Sequence, residues 1–146
     1  MKSAMPRFII VCIANGILFG ILDGGINANP YAQKLFAVYA PIAKNSINVP
    51  AGIAIDLLYG FAMGVLFGML YKSLPGSTGI VKGISFALIL WFFRVFMSTV
   101  SSWMMFAIPV QTLSYVAIAG LVEMLILGIL YGAWIKPSRG AGRTEG

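Results

Sequence analysis

The sequence ILWFFRVFMSTVSSWMM, which runs from Ile89 to Met105, consists mostly of large apolar side chains and contains one charged residue, Arg94. It continues an apolar run that begins near residue 80. A run of about 20 such residues can span about 30 Å of hydrocarbon as a helix. The stretch therefore predicts a transmembrane helix. It also raises the question of what holds Arg94, because an unpaired charge at such a depth is costly.

The composition of the whole chain indicates a membrane protein. Of its 146 residues, 60% are hydrophobic and only 10% are charged, and the mean hydropathy is +0.93. A soluble domain of this length would not have enough polar surface to cover its apolar side chains. We therefore expect an all-α integral membrane protein whose main contact is the lipid bilayer.

Four apolar runs are long enough to cross a bilayer. The predicted spans lie near residues 7–27, 50–71, 80–104 and 112–135. The breaks between them carry turn-forming residues, as at Pro75-Gly76. We expect a single domain over residues 1–136, a four-transmembrane-helix bundle, followed by a disordered cytoplasmic tail over residues 137–146.

Positive residues near the span ends predict how the chain is oriented. The side that holds both termini carries seven Lys and Arg residues: Lys2, Arg7, Lys72, Lys82, Lys136, Arg139 and Arg143. The other side carries two, Lys34 and Lys44. This asymmetry predicts a multi-pass protein of the cell inner membrane with cytoplasmic N- and C-termini. The first run contains Asn15 and Asp23 and ends without a convincing cleavage site, so we expect a retained span rather than a signal peptide.

The residues that the chain lacks exclude several functions. It has no histidine and one cysteine, which excludes His-ligated haem, a Ser-His-Asp triad and zinc or iron–sulfur sites built from Cys and His. Its net charge of +6 comes from residues scattered singly at the ends of apolar runs, unlike the basic patches that bind nucleic acid. We therefore expect no catalytic residues, no enzyme activity, no cofactor, no metal site and no nucleic-acid partner.

The first loop on the predicted outer side has a pattern of its own. Between Pro30 and Pro41, apolar residues recur roughly at helical spacing. They are Tyr31, Leu35, Phe36, Val38 and Tyr39. The pattern predicts a short helix lying in the membrane interface, and a lid over an outward-facing cavity is the alternative.

Glycines recur every four residues in the first two spans. The two rows are Gly16, Gly20 and Gly24, and Gly60, Gly64 and Gly68. Small residues in such rows let two helix backbones approach closely, which favours packing where lipid removes the hydrophobic drive between helices. The rows therefore predict that the first two spans form a tightly packed pair.

Each span also carries one ionisable residue. These are Asp23, Asp56, Arg94 and Glu123. At ~1.5 Å per residue from the span ends, all four lie in the predicted outer half, about 6 to 16 Å deep. Further polar residues follow at helical spacing, namely Ser98, Ser102, Asn27 and Tyr115. The sequence thus predicts an outward-opening polar cluster in which carboxylates hold Arg94, most readily those of Glu123 and Asp56.

In size and helix count, with one acid in the first span, the chain resembles the small multidrug-resistance exporters. The resemblance extends no further, because Arg94, Asp56 and the long first loop depart from that family. It therefore implies no site residues.

Two interpretations of the polar cluster remain open. In one, the cluster is a structural ion-pair network, and the chain is a non-catalytic accessory or assembly subunit of a larger membrane complex. In the other, three acids against one arginine leave two carboxylates that take up protons or cations. The chain is then a proton- or cation-coupled transporter or a channel-like protein. Since four helices enclose little room, transport would favour a homo-oligomer.

Overall fold

A computed structural model of the protein describes residues 4–135, and within that range the chain is helical with no strands. The α-helices are α1 (Ala4–Ala28), α2 (Pro30–Phe36), α3 (Val49–Leu70), α4 (Gly79–Trp91), α5 (Met97–Met105) and α6 (Val110–Trp134). A 3-10 helix, Ala37–Ile42, follows α2. A π-helical turn, Phe92–Phe96, joins α4 and α5 into one long helix.

Four of these helical segments are long and apolar enough to cross a membrane. They are Pro6–Ala28, Val49–Leu70, Gly79–Met105 and Val110–Trp134. The prediction of an all-α, four-helix membrane protein is therefore confirmed, with a short helix in the first loop. The predicted tail over residues 137–146, and the positive residues Lys2 and Lys136, lie outside the described residues.

The turn residues that interrupt the apolar runs act as helix caps. The Asn29 side chain accepts a hydrogen bond from the backbone N–H of Ala32 at 2.9 Å, with Pro30 at the first helical position of α2. Asn48 caps α3 in the same way, again followed closely by a proline. Thr78 caps α4. A capping oxygen satisfies one of the free N–H groups of a helix start, so these residues set where α2, α3 and α4 begin.

Helices α1 and α3 form a hairpin whose backbones meet at glycines. A Cβ atom on Gly60 would overlap the Cα and N atoms of Gly16, and one on Gly64 would overlap the Sγ atom of Cys12. A Cβ on Gly20 would lie 2.9 Å from Oδ2 of Asp56. Only residues without a side chain allow this approach, so the glycines determine how closely the two helices pack.

The two outermost glycines of the rows differ from the other four. A Cβ atom on Gly24 would meet no heavy atom within 4 Å, and one on Gly68 would make an ordinary contact of 3.5 Å with Phe8. The helices therefore diverge towards these positions. Periodicity grouped Gly24 and Gly68 with the packing glycines, but neither enforces close packing.

A second hairpin, formed by α4 and α6, uses the same device. A Cβ on Gly83 would overlap the carbonyl oxygen of Gly128, and one on Gly79 would overlap that of Gly132. The second hairpin thus has two successive contacts, four residues apart on both helices, at which backbones meet without side chains between them, and the first hairpin has one such contact, between Gly16 and Gly60. The described bundle consists of two such hairpins that pack against each other through α1 and α6.

An aromatic core joins the hairpins near the loop between α3 and α4. The rings of Phe67 and Phe86 lie 5.3 Å apart, and Phe67 also stacks on Tyr131 at 6.0 Å. The buried Tyr131 hydroxyl donates a 2.6 Å hydrogen bond to the carbonyl oxygen of Gly60. The core fixes one end of the bundle, and the polar residues lie towards the other end.

At that other end, the first loop is fastened to the start of α6. Thr112 donates a hydrogen bond to the carbonyl oxygen of Leu35 at 3.1 Å, and the Gln111 amide donates one to the Tyr31 hydroxyl at 3.1 Å. The rings of Tyr31 and Tyr115 meet edge to face at 5.7 Å. These contacts hold α2 across the end of the bundle.

Candidate polar cavity

A cavity of about 310 Å³ lies between α1, the π-helical turn, α5, α6 and the first loop. Seven of the eight residues predicted for the polar cluster line it: Asp23, Asn27, Arg94, Ser98, Ser102, Tyr115 and Glu123. The cavity runs from Glu123, near the middle of α6, towards Phe36 and Tyr39 of the first loop. It is thus a polar space that one end of the bundle and the first loop line together.

Asp56, the remaining predicted residue, is not among the residues that line the cavity. It lies in the seam of the first hairpin, where its carboxyl faces the position of a Cβ on Gly20. The residue is partly buried there. Asp56 therefore does not contribute to the cavity wall, although the sequence placed it at a similar depth.

Arg94 does not form the predicted ion pair with Glu123 or Asp56. Within residues 4–135, no Lys or Arg nitrogen lies within 4.0 Å of an Asp or Glu oxygen. The guanidinium carbon instead lies 4.6 Å from the ring centroid of Tyr59 and 5.0 Å from that of Phe19. Arginine binds aromatic faces well because its charge is spread over a weakly hydrated plane. The guanidinium of Arg94 therefore contacts two aromatic rings, on α1 and α3, and not the carboxylates that the sequence predicted.

The π-helical turn presents Arg94 to these rings. The backbone N–H of Met97 bonds the carbonyl oxygen of Phe92, five residues earlier, and Arg94 lies inside that wider turn. Just beyond it, the Thr99 hydroxyl donates a 2.8 Å hydrogen bond to the carbonyl oxygen of Val95. A π turn changes the angular position of all later residues relative to a regular α-helix, and such turns are frequent at functional sites.

Glu123 is the deepest acid of the cavity and the most buried. Its side chain is 5% exposed, and its Oε1 atom has no hydrogen-bond partner among the described residues. Leaving a buried polar atom unpaired typically costs about 1–3 kcal/mol. Glu123 also lines the cavity, so this unpaired carboxyl lies at the cavity wall.

Asn15 is a second buried polar residue without a partner, but it lies apart from the cavity lining. It is 1% exposed, and neither its amide nitrogen nor its amide oxygen has a hydrogen-bond partner within the described range. Its backbone packs against Gly60 in the first hairpin. Nothing in the structure explains why an amide occupies this position.

Near the loop end, the polar groups of the cavity are bonded to the protein. The Asn27 amide donates to Oδ1 of Asp23 at 2.9 Å, so this carboxyl has a partner that Glu123 lacks. The Tyr115 hydroxyl accepts a hydrogen bond from Asn29 and donates one to the carbonyl oxygen of Ile26, each at 2.8 Å. The cavity wall near the first loop is therefore held in place by hydrogen bonds within the protein. The charged groups without hydrogen-bond partners among the described residues, on Glu123 and Arg94, lie deeper in the cavity.

A comparison with protein families shows which family the chain belongs to. A family model described as "Family of unknown function (DUF6789)" matches residues 12–141, which include every residue that lines the cavity. The chain belongs to this family. No curated protein and no solved structure matches the chain. Within residues 4–135, no group of three or more Cys, Asp or Glu side chains is arranged to hold a metal ion.

Sequence reasoning missed the aromatic residues that surround the charge in this DUF6789 chain. Phe19 precedes Asp23 by four residues, and Tyr59 follows Asp56 by three. Residues three and four apart share a helix face, so both rings could have been assigned to the same side of their helices as the acids. Thr99 also lines the cavity without having been predicted.

Proposed function

We propose that the protein is a proton- or cation-coupled transporter and that its polar cavity binds the coupled ion. The observation that carries the proposal is Glu123, a buried carboxyl that has an unpartnered oxygen and lines a polar cavity. Such a group can bind and release a proton or a cation without first breaking an ion pair. Intramembrane carboxyls are costly, and those that face an internal cavity commonly mark ion pathways.

The architecture supports movement between two access states. Each hairpin is held together by direct backbone contact at glycines, whereas the hairpins meet each other mainly through side chains, those of α1 and α6 and those of the aromatic core around Phe67. Two rigid units that can tilt against each other are a recurrent design in membrane transporters. In this proposal the hairpins rock about the α1–α6 contact and close the cavity on one side as they open it on the other.

The proposal includes an orientation in the cell inner membrane, with both termini cytoplasmic and the loop end of the cavity outside. Cysteine labelling tests it in a Cys12→Ala background. Ser46 and Ser77 are exposed in the first and second inter-span loops. We expect a membrane-impermeant maleimide to label Ser46→Cys in intact cells, and Ser77→Cys only after permeabilisation. Labelling in the reverse order would show that the cavity faces the cytoplasm.

Transport itself is tested in proteoliposomes that contain a pH-sensitive dye. Na⁺ or K⁺ gradients are imposed, and a small-molecule extract of the expression host is added outside. We expect the protein to change the internal pH at least about tenfold faster than Glu123→Gln does. This replacement keeps the shape of the side chain and removes the titrating group.

The matched control is Asp56→Asn, the same chemical change at a carboxyl that does not line the cavity. We expect this variant to retain most of the rate. The proposal fails if the protein is no faster than empty liposomes under every gradient, or if Glu123→Gln is as fast as the unmodified protein. Both variants are first checked for a monodisperse elution profile in detergent.

A second candidate is an accessory subunit of a larger membrane complex. The observation in its favour is an apolar groove of about 260 Å³ between α5 and α6, lined by residues that include Phe96, Val100 and Trp103. A partner helix could pack there, but lipid chains could fill the same groove. Proton or cation flux from the purified protein alone, as a monomer or homo-oligomer, would favour the transporter, because an accessory subunit needs its complex.

A further inference from the structure

Two opposite charges line the same cavity without pairing with each other. Arg94 and Glu123 both contribute to the cavity wall, yet no nitrogen of the arginine lies within 4.0 Å of an oxygen of the acid. Oppositely charged groups that share a small polar space in a low-dielectric surrounding attract each other strongly. Their separation therefore leaves both of them able to bind something placed between them.

Each of the two groups also has unused hydrogen-bonding capacity. A guanidinium carries five N–H donors, and that of Arg94 has no hydrogen-bond partner among residues 4–135, where it contacts the faces of two aromatic rings. Glu123 is about nineteen-twentieths buried, and its Oε1 atom has no partner within the same range. The residues of the cavity wall thus include unmet donors on Arg94 and an unmet acceptor on Glu123.

We propose that the cavity binds a small zwitterion, whose anionic group lies at Arg94 and whose ammonium group lies at Glu123. This names the class of solute that moves with the coupled ion, and in that respect it rests on the proposed function. Arginine suits the anionic end because its planar fork can hold both oxygens of a carboxylate. An ammonium group can donate to the free acceptor of Glu123 without leaving a new charge unpaired.

The charges of the cavity favour a zwitterion together with one proton or monovalent cation. With Asp23 and Glu123 ionised, the two acids and Arg94 give the lining a net charge of −1 (2 − and 1 +). A zwitterion adds no charge, and one proton or monovalent cation brings the total to zero. Enclosing a neutral assembly within a membrane is far less costly than enclosing a charged one. A simple anion would change the net charge of the cavity from −1 to −2. A simple cation would leave the N–H donors of Arg94 unused.

Size and lining restrict the solute further. A volume of about 310 Å³ lies at the lower end of small-molecule pockets, which range over about 300–1,000 Å³. The hydroxyl groups of Ser98 and Ser102 offer hydrogen bonds, and Val95 and Val116 contribute apolar wall. A compact solute of amino-acid size fits this space and this lining.

The test uses the purified full chain in detergent and a series of ω-amino acids from glycine to 6-aminohexanoate. Thermal unfolding is followed with each compound at about 10 mM. We expect one or two neighbouring chain lengths to raise Tm by about 5 °C, because only a matched spacing reaches both charged groups. The corresponding n-alkylamine and n-alkylcarboxylate, each carrying one of the two charges, should give less than about a quarter of that shift.

Variants assign the two ends of the ligand. Arg94→Gln and Glu123→Gln should each abolish the Tm shift, and Asp56→Asn, outside the lining, should preserve it. Arg94→Lys keeps the charge but loses the planar fork, so we expect binding at least about tenfold weaker. If a variant does not fold, the chain-length series on the unmodified protein still decides the question.

The proposal is overturned if no ω-amino acid raises Tm, if the amine or the carboxylate alone raises it equally, or if the shift survives both Arg94→Gln and Glu123→Gln. These results are separable from failure of transport. A length-dependent Tm shift without flux in proteoliposomes would support the zwitterion site and reject the transporter. Flux that occurs without any effect of a zwitterion would support the transporter and reject this site.

Discussion

Gly60→Ala and Gly83→Ala are expected to disrupt the bundle, whereas Gly24→Ala should leave its stability almost unchanged. A Cβ on Gly60 would overlap backbone atoms of Gly16, and one on Gly83 would overlap the carbonyl oxygen of Gly128. Backbone atoms cannot rotate out of the way as a side-chain end can. The two helices of the hairpin must therefore move apart, which removes packing along the whole seam.

The expected loss at Gly60 is large relative to the stability of a small protein. Overpacking in a close-packed interior costs about 1–3 kcal/mol and occasionally more. Separating the helices would also weaken the hydrogen bond from Tyr131 to the Gly60 carbonyl, worth about 1 kcal/mol. Total stabilities are about 5–15 kcal/mol. We expect Tm to fall by about 10 °C or more, measured from the monodisperse fraction that remains after heating in detergent.

Gly24→Ala is the matched control because it makes the same change in the same glycine row. A Cβ at this position would meet no heavy atom within 4 Å. Alanine is the better helix former by about 1 kcal/mol in water, so this variant should match or slightly exceed the Tm of the unmodified protein. If Gly60→Ala and Gly24→Ala gave the same Tm, the glycine contacts would not be what holds the hairpin together.

The contrast between Gly24 and Gly60 shows what a periodic pattern can predict and what it cannot. Apolar length fixed the number of spans, because each run must cover the thickness of the hydrocarbon. The spacing of four placed Gly16, Gly20 and Gly24 on one face of α1. Spacing does not reveal where two helices diverge, since that depends on their crossing angle and on neighbouring helices. The pattern alone therefore could not separate Gly24 from the others.

The polar cavity shows the same limit for charged residues. Counting along each span gave the approximate depth of Asp23, Arg94 and Glu123, and these residues line one cavity. Depth does not give direction around the helix axis, and the π-helical turn at Phe92–Phe96 changes that direction for Arg94. No local sequence rule predicts such a turn, because it depends on what the enclosed side chain meets in the folded bundle. Helical spacing could have placed Phe19 and Tyr59 on the same faces as the acids, but it could not show that the guanidinium of Arg94 contacts their rings.

Arg94 should be coupled energetically more strongly to the aromatic rings than to the acids. In a double-mutant cycle, we expect Arg94→Met and Tyr59→Leu to show a coupling free energy of about 1–2 kcal/mol, since the guanidinium lies 4.6 Å from the Tyr59 ring in a poorly hydrated site. The cycle of Arg94→Met with Glu123→Gln should give a smaller coupling free energy, because the two groups make no direct ion pair.

The measurement is equilibrium unfolding in mixed detergent micelles, with the free energy of unfolding obtained for each single and double variant. Phe93→Leu provides the control: Phe93 is next to Arg94 in sequence but is 71% exposed, and its coupling to Arg94→Met should be close to zero. A coupling to Glu123 larger than that to Tyr59 would support the structural ion-pair network instead. Arg94 and Glu123 would then satisfy each other, and neither would need a ligand in the cavity. Strong coupling to the rings alone leaves the carboxyl of Glu123 available, as both the ion-coupled transporter and the zwitterion site require.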